Sequence, residues 1–405
     1  MWAVKANRWS ILAGYGLLAA CTQLLWLSYA PITTQAHRAM GVSEGAVGDL
    51  AAIFPLVYVV LALPSGRWLD ARFTAALSTG AVLTGGGALV RLAAPDSYVW
   101  AFAGQCVVAA GQPLVLNAIT KTAARYFPLA ERTAAVSAGS VALFVGVLAA
   151  VLSGGPLRDA GGLALVVWTQ AGLSVAAATW VLVTARVPPA FAEDVSVAPT
   201  LDWLRSDRFM WLLGGLLFIG MGEFNAVATW LESILDHFGR GGAAGYLIAI
   251  MVGAGVVGAA VLPDVFAARN RRRDLLLAAL GVSVLAFAAI AVGHNAGFVA
   301  CVLVVEGFFL LAALPVVLDW SALHSGEQRA GAAVGFLLLA GNLGGIVLVL
   351  VVQVLIDSPH AALLTLSGFA LAGVALASRL PARTEQAAKS GTSAARGVGA
   401  TKEDR

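Results

Sequence analysis

Apolar segments about the length of a membrane span recur twelve times along this chain, at roughly 9–33, 45–66, 74–93, 97–120, 132–154, 161–186, 209–235, 243–268, 274–293, 296–318, 328–355 and 359–380. Nothing else in the sequence restricts the fold as strongly. About 20 apolar residues cross the hydrocarbon core of a bilayer as a helix, which pairs every backbone N–H and C=O within the segment. Of the 405 residues, 60% are apolar and 12% charged, where a soluble domain carries about 25% charged. Too few polar residues remain to clothe a soluble particle of this size. Lys5 and Arg8 precede the first run, as in a signal peptide. The run continues to Thr33, longer than a signal h-region, so a retained first helix is expected.

The segments fall into two groups of six around a polar stretch, 187–208, which opens with Val187-Pro188-Pro189 and carries Glu193, Asp194, Asp202, Arg205, Asp207 and Arg208. The reading predicts an N-terminal six-helix bundle over 1–186, a cytoplasmic linker over 187–208 and a C-terminal bundle over 209–380. A cytoplasmic tail over 381–405, rich in Ala, Ser, Gly, Thr and charge, is expected to be disordered. With both termini in the cytoplasm, all but Arg38, Arg91, Arg158 and Arg240 of the 25 Lys and Arg residues fall on the inner side. That asymmetry fits the positive-inside rule for twelve spans, whereas an odd number would scatter it. The fold class expected is an all-α, multi-pass protein of the cell membrane, with twelve transmembrane helices in two pseudo-symmetric bundles.

A formal charge of +3 gives no argument for nucleic acid. Cys21, Cys106 and Cys301 lie inside apolar runs without metal-like spacing and read as core residues. The histidines (His37, His237, His294, His324, His360) sit near loops or span ends, so no metal site is indicated. Gly85-Gly86-Gly87 and Gly253-Ala254-Gly255 lie within spans without a following Lys-Ser/Thr, which suits close helix packing and not a phosphate loop. No nucleophile with its base gathers at one depth, so an enzyme is not expected. No cofactor is expected, and the chain is expected as a monomer whose partners are a small-molecule substrate, the lipid bilayer and, if transport is coupled, protons.

Two groups of six joined by a charged linker is the layout of carriers built from repeats around a midplane site. After the second span comes Gly66-Arg67-Trp68-Leu69-Asp70-Ala71-Arg72, which resembles the loop signature of the major facilitator superfamily. The resemblance implies a cytoplasmic gate in which Gly66, Asp70 and Arg72 take part, with Asp paired to Arg. Its degenerate echo in the second half is Pro263-Asp264 before Arg269-Asn270-Arg271-Arg272-Arg273. The bland alternative is a positive-inside loop with an incidental acid.

Further stretches resemble a narrower branch, the feline leukaemia virus subgroup C receptor-related transporters. They are Trp26-Leu27-Ser28-Tyr29-Ala30-Pro31-Ile32, then Gly104-Gln105-Cys106 with Gln112, Ala124-Arg125-Tyr126-Phe127 and Glu131. Phe224, Thr229, Leu231, Gly255, Gly258 and Asp264 follow, then Gly307-Phe308-Phe309, Leu314-Pro315, Asp319, Glu327, Gly335 and Gly345-Ile346. That branch includes carriers of choline and ethanolamine, proteins linked to haem export and relatives with other small substrates. The resemblance implies that a small ammonium is held by rings and side-chain amides, through cation–π attraction of about 2 kcal/mol or more when desolvated. Trp26 matches the first-span tryptophan and Gln112 the fourth-span glutamine. The seventh-span tyrosine is Asn225 here and the eleventh-span glutamine is Asn342. Half of the aromatic cage is absent, and a polar, hydrogen-bonding cavity is left.

Polar groups at membrane depth are costly and mark a pathway by default. Gln105 and Gln112 are seven residues apart and share a face; substrate contact is the reading for Gln112 and interhelical glue for Gln105. Trp26 and Tyr29, spaced i, i+3, suit stacking on a ligand, although both approach the outer end of their span, where aromatic belts are common. Glu223 and Glu306 fall near mid-membrane, where a carboxylate must be paired, wet or protonated. They are the acids available for proton coupling or as a counter-ion. Glu223 and Asn225 are two residues apart and cannot both face a cavity from a regular helix. Either Gly220-Met221-Gly222 unwinds the helix, or one of the two faces a neighbour. Phe54, Tyr58 and Phe144 are further aromatics suited to gating. The function expected is secondary active or facilitative transport of a small polar or cationic organic solute by alternating access. The alternatives are an exporter of haem or another amphipathic metabolite, and a non-transporting membrane receptor.

Overall fold

A computed structural model describes residues 7–191, 200–238, 244–293 and 295–382. Lys5, Glu193, Asp194, Arg240, His294 and the expected disordered tail beyond residue 382 therefore lie outside the described residues. All regular structure among the described residues is helical: α1 (Arg8–Trp26), α2 (Thr33–Met40), α3 (Glu44–Val90), α4 (Tyr98–Leu116), α5 (Ile119–Tyr126), α6 (Arg132–Thr184), α7 (Asp202–Ser206), α8 (Arg208–Asp236), α9 (Ala244–Ala268), α10 (Arg272–Val292), α11 (Ala296–Ser325), α12 (Ala330–Val354) and α13 (Pro359–Ser378).

Two of these helices are too long for one crossing. The 47 residues of α3 would reach about 70 Å, against a hydrocarbon core of about 30 Å. Non-helical backbone at Arg72 interrupts α3, and Gly161 and Gly162 interrupt α6. Gly162 has φ +66°, a left-handed turn that glycine adopts without steric cost. Side-chain contacts show that both helices double back. Gln105 donates to the carbonyls of Leu25 and Leu50, and its neighbour Gly104 packs on Gly87 and Arg91. Residues 50 and 87–91 therefore lie at one depth. In α6, Gly139 meets Tyr15 and Trp180 meets Gly14, which puts both ends of α6 beside the start of α1. The ten helices long and apolar enough to span thus make twelve crossings.

The first six crossings pack α3 along α4 and α1 along α6. The last six pair α12 with α8, α11 with α9 and α10 with α13. The two bundles meet where α3 touches α12 and α6 touches α9, positions related by the repeat. Small residues let these backbones approach: a methyl on Gly344 of α12 would overlap the Phe218 carbonyl of α8.

Three expectations change. The first span is not one helix to Thr33: α1 ends at Trp26, and a 3₁₀ turn containing Pro31 leads into α2, because proline's fixed ring and missing N–H favour a fresh helical start. The stretch 187–208 is not wholly a linker, since α7 forms within it and Leu204 is buried in the core. No unwinding occurs at Gly220-Met221-Gly222, for α8 is helical throughout.

Gly344→Val is expected to destabilise the detergent-solubilised protein by about 1–3 kcal/mol through overpacking. Gly281→Val, with open space around it, is expected to stay within about 0.5 kcal/mol. Thermal melting of both variants checks this.

Candidate functional site

A cavity of about 130 Å³ lies between the two bundles, walled by α1, α4 and α6 on one side and α8, α10, α11 and α12 on the other. Most of the wall is Leu, Ala, Val and Gly. The exceptions are Met221, three rings, Trp26, Phe144 and Phe224, and three amides, Gln23, Asn225 and Asn342. The Trp26 indole Nε1 donates to the Ala51 carbonyl at 3.0 Å, which ties the ring to α3. Asn225 Nδ2 donates to the Met221 carbonyl at 2.7 Å, and Asn342 Nδ2 donates to the Leu338 carbonyl at 2.8 Å. Each amide spends one of its two N–H donors on its own helix one turn back. Its Oδ1 oxygen accepts from no group of the protein among the described residues and is left as an acceptor, beside the second N–H. Acceptors and ring faces together suit a ligand that is cationic or rich in donors.

The structure brings together three of the five residues expected to bind substrate. Trp26, Asn225 and Asn342 line the cavity. Gln112 is buried in α4 one turn before Leu116, which does line it, and Gln112 itself stands outside the wall. Tyr29 is set apart, buried beyond the end of α1 with its ring under the Arg91 guanidinium. Gln23 was not anticipated, yet it stands one turn before Trp26 on the same face of α1. Gln105 acts as the expected glue, bonding two backbone carbonyls.

The two glutamates lie outside the cavity wall, and both are fully buried. Glu306 Oε1 accepts from the Ser283 hydroxyl at 2.7 Å. Glu223 lies near enough to Glu306 for the two carboxyls to feel each other's charge, but neither of its oxygens has a hydrogen-bond partner among the described residues. The crowding between Glu223 and Asn225 is thereby resolved. On a regular α8 they point apart, Asn225 to the cavity and Glu223 to the buried pair.

At the end of the molecule that carries most of the basic residues, Asp70 joins the bundles. Its Oδ1 accepts from Lys121 Nζ at 2.9 Å and from the Gly331 N–H at 2.9 Å, and its Oδ2 accepts from the Ala332 N–H at 2.9 Å. Helix α12 has no side-chain cap of its own. A carboxylate from the other bundle fills that place, favoured by the helix dipole and by charge-assisted bonds. Gly66 permits the approach, since a methyl there would overlap Gly331. The expected partner is corrected: Lys121 pairs with Asp70, while Arg72 occupies the backbone break and lines the adjoining surface cleft. Asp264 makes no ion pair among the described residues. In the second half the paired carboxylate is Asp319, near the end of α11, which accepts from Arg272 (2.8 Å) and, across the bundle boundary, from the Thr133 hydroxyl (3.1 Å).

Comparison with known proteins places these features in a family. The model of the Major Facilitator Superfamily matches residues 11–349. Solute carrier family 49 member A3 of Danio rerio is 28% identical over 382 residues, covering 88% of this chain and 80% of that protein. Among solved structures, the major facilitator transporter FucP in its outward conformation superposes with a TM-score of 0.74 at 16% identity, over 91% of this chain and 98% of that one. The human organic anion transporter MFSD10 does so at 0.74 and 14% identity, over 92% and 100%.

Asp70→Asn removes the ion-pair partner of the buried Lys121 ammonium. It is expected to cost about 3–5 kcal/mol, read as a lower melting temperature. Adding Lys121→Met to Asp70→Asn is expected to recover part of that loss, and a double-mutant cycle measures how much.

Proposed function

The chain belongs to the Major Facilitator Superfamily, a family of membrane transporters, and we propose that it moves a small cationic or polar organic solute by alternating access. The likeness to the solute carrier family 49 protein supports a place in the feline leukaemia virus receptor-related branch. The observation that carries the solute class is the wall of the central cavity, in which Trp26, Phe144 and Phe224 stand with the acceptor oxygens of Asn225 and Asn342. A cavity of about 130 Å³ falls below the 300–1,000 Å³ of sites for drug-sized ligands. That size favours a compact ammonium over haem or another large amphipathic molecule.

In this reading the basic end faces the cytoplasm of the cell-membrane-embedded protein, and the contacts of Asp70 and Asp319 close that side. Opening it requires α12 to leave Asp70 and Thr133 to leave Asp319. Gly66, Asp70, Lys121 and Asp319 thus form the gate, with Arg72 and Asp264 beside it. Glu223, Glu306 and Ser283 form the coupling site. Two acids buried near each other are stable when at least one of them is protonated, and a proton taken up or released there is felt on α8, the helix that presents Asn225.

Thermal-shift screening against choline, ethanolamine, betaine, haem and pyridoxine is expected to single out an ammonium compound, followed by its uptake into proteoliposomes. Trp26→Ala is expected to weaken its binding about 30-fold, the equivalent of about 2 kcal/mol. If no ammonium compound shifts melting and Trp26→Ala leaves transport unchanged, the solute class is wrong.

A pH gradient is expected to accelerate uptake, and Glu306→Gln to abolish that acceleration. Equal rates with and without the gradient would remove proton coupling and leave facilitated diffusion.

A further inference from the structure

Far from the basic end, a second buried cluster has a charge that the protein does not balance. Arg91 follows the trailing arm of α3 in a 3₁₀ turn and is 1% exposed. Its stem lies against Gly104 of α4, where any side chain would collide with it. Its guanidinium stacks over the Tyr29 ring, 4.9 Å from the centroid. Nη2 donates to Gln170 Oε1 at 3.1 Å, and the same oxygen accepts from the Ser28 hydroxyl at 2.7 Å. No carboxylate lies within ion-pair distance of Arg91 among the described residues. Arg91 Nε and Nη1, Gln170 Nε2 and the Tyr29 hydroxyl are all buried without a hydrogen-bond partner.

All four of these atoms can donate, three of them can do nothing else, and one group carries a fixed positive charge. Leaving such groups unpaired in a low-dielectric interior is costly. A neutral acceptor would satisfy one or two N–H groups but not the charge. We propose that this cluster binds a small monovalent anion of the chloride class, held by Arg91, Gln170 and the Tyr29 hydroxyl. A single negative charge cancels the single guanidinium, and full enclosure favours a compact halide over a larger oxyanion. The site joins three segments of the first bundle: the break after α1, the end of α3 and the second arm of α6. Occupancy therefore braces the backbone from Trp26 to Tyr29, whose first residue is one of the rings of the central cavity.

The test uses the full-length protein in detergent, exchanged into gluconate buffer at constant ionic strength and titrated with chloride, bromide or acetate while melting is followed. Chloride and bromide are expected to raise the melting temperature saturably. Arg91→Gln is expected to abolish the saturable response, and Tyr29→Phe, which keeps the ring and removes only the hydroxyl, to weaken it about tenfold. An absent or non-saturating response in the wild type overturns the proposal, as does an identical response in Arg91→Gln. A response to acetate but not to halides overturns the halide assignment. If Arg91→Gln does not fold, Tyr29→Phe decides: unchanged halide affinity in it overturns the site.

Discussion

A bilayer supplies no hydrogen-bond partner to a peptide group, and almost every feature of this molecule follows from where that demand is met and where it is not. Helices satisfy the backbone internally, which is why all regular structure among the described residues is helical. The same demand makes each departure from the helix conspicuous. The chain breaks at residues 27–29, at Arg72 and at Gly161-Gly162. The latter two reverse it between crossings, and the first lies beside the tryptophan that walls the central cavity.

Side chains obey the same rule. The amide nitrogens of Gln105 and Asn117 and the hydroxyl of Ser28 donate to neighbouring helices and act as glue within one bundle. Asp70 and Asp319 instead reach across the boundary between bundles, to backbone N–H groups in one case and to a threonine hydroxyl in the other. Contacts of this kind are strong while closed and are replaced by water when they part, the property a reversible gate needs. A third set keeps unpaired atoms in the interior: the Glu223 carboxylate and the Arg91 guanidinium. One gathers negative charge beside the central cavity, and the other gathers positive charge at the far end of the first bundle.

Much of the candidate site was legible because it rests on local pattern. Asp70 was found from its place in a short loop between two spans, and Trp26, Asn225 and Asn342 from matches to a related branch. Gln112 and Tyr29 were chosen by the same means, yet neither lines the cavity. Depth along a helix is countable from residue numbers, whereas azimuth depends on how the helix is turned against its neighbours. Gln23 was passed over although it shares a face with Trp26. Lys121 was passed over because the usual partner type, arginine, stood two residues from Asp70 in the chain.

Hydropathy, spacing and charge asymmetry determined from the sequence alone that this protein crosses a membrane twelve times in two related groups, because those properties depend on each segment's own composition. Tertiary structure decided which polar residues meet. It set Glu223 beside Glu306 instead of the cavity, gave Asp70 to Lys121 and the start of α12, and left Arg91 enclosed with its Nε and Nη1 unpaired. These partnerships join residues scores to hundreds of positions apart, and only the packing angles between helices bring them within hydrogen-bond reach.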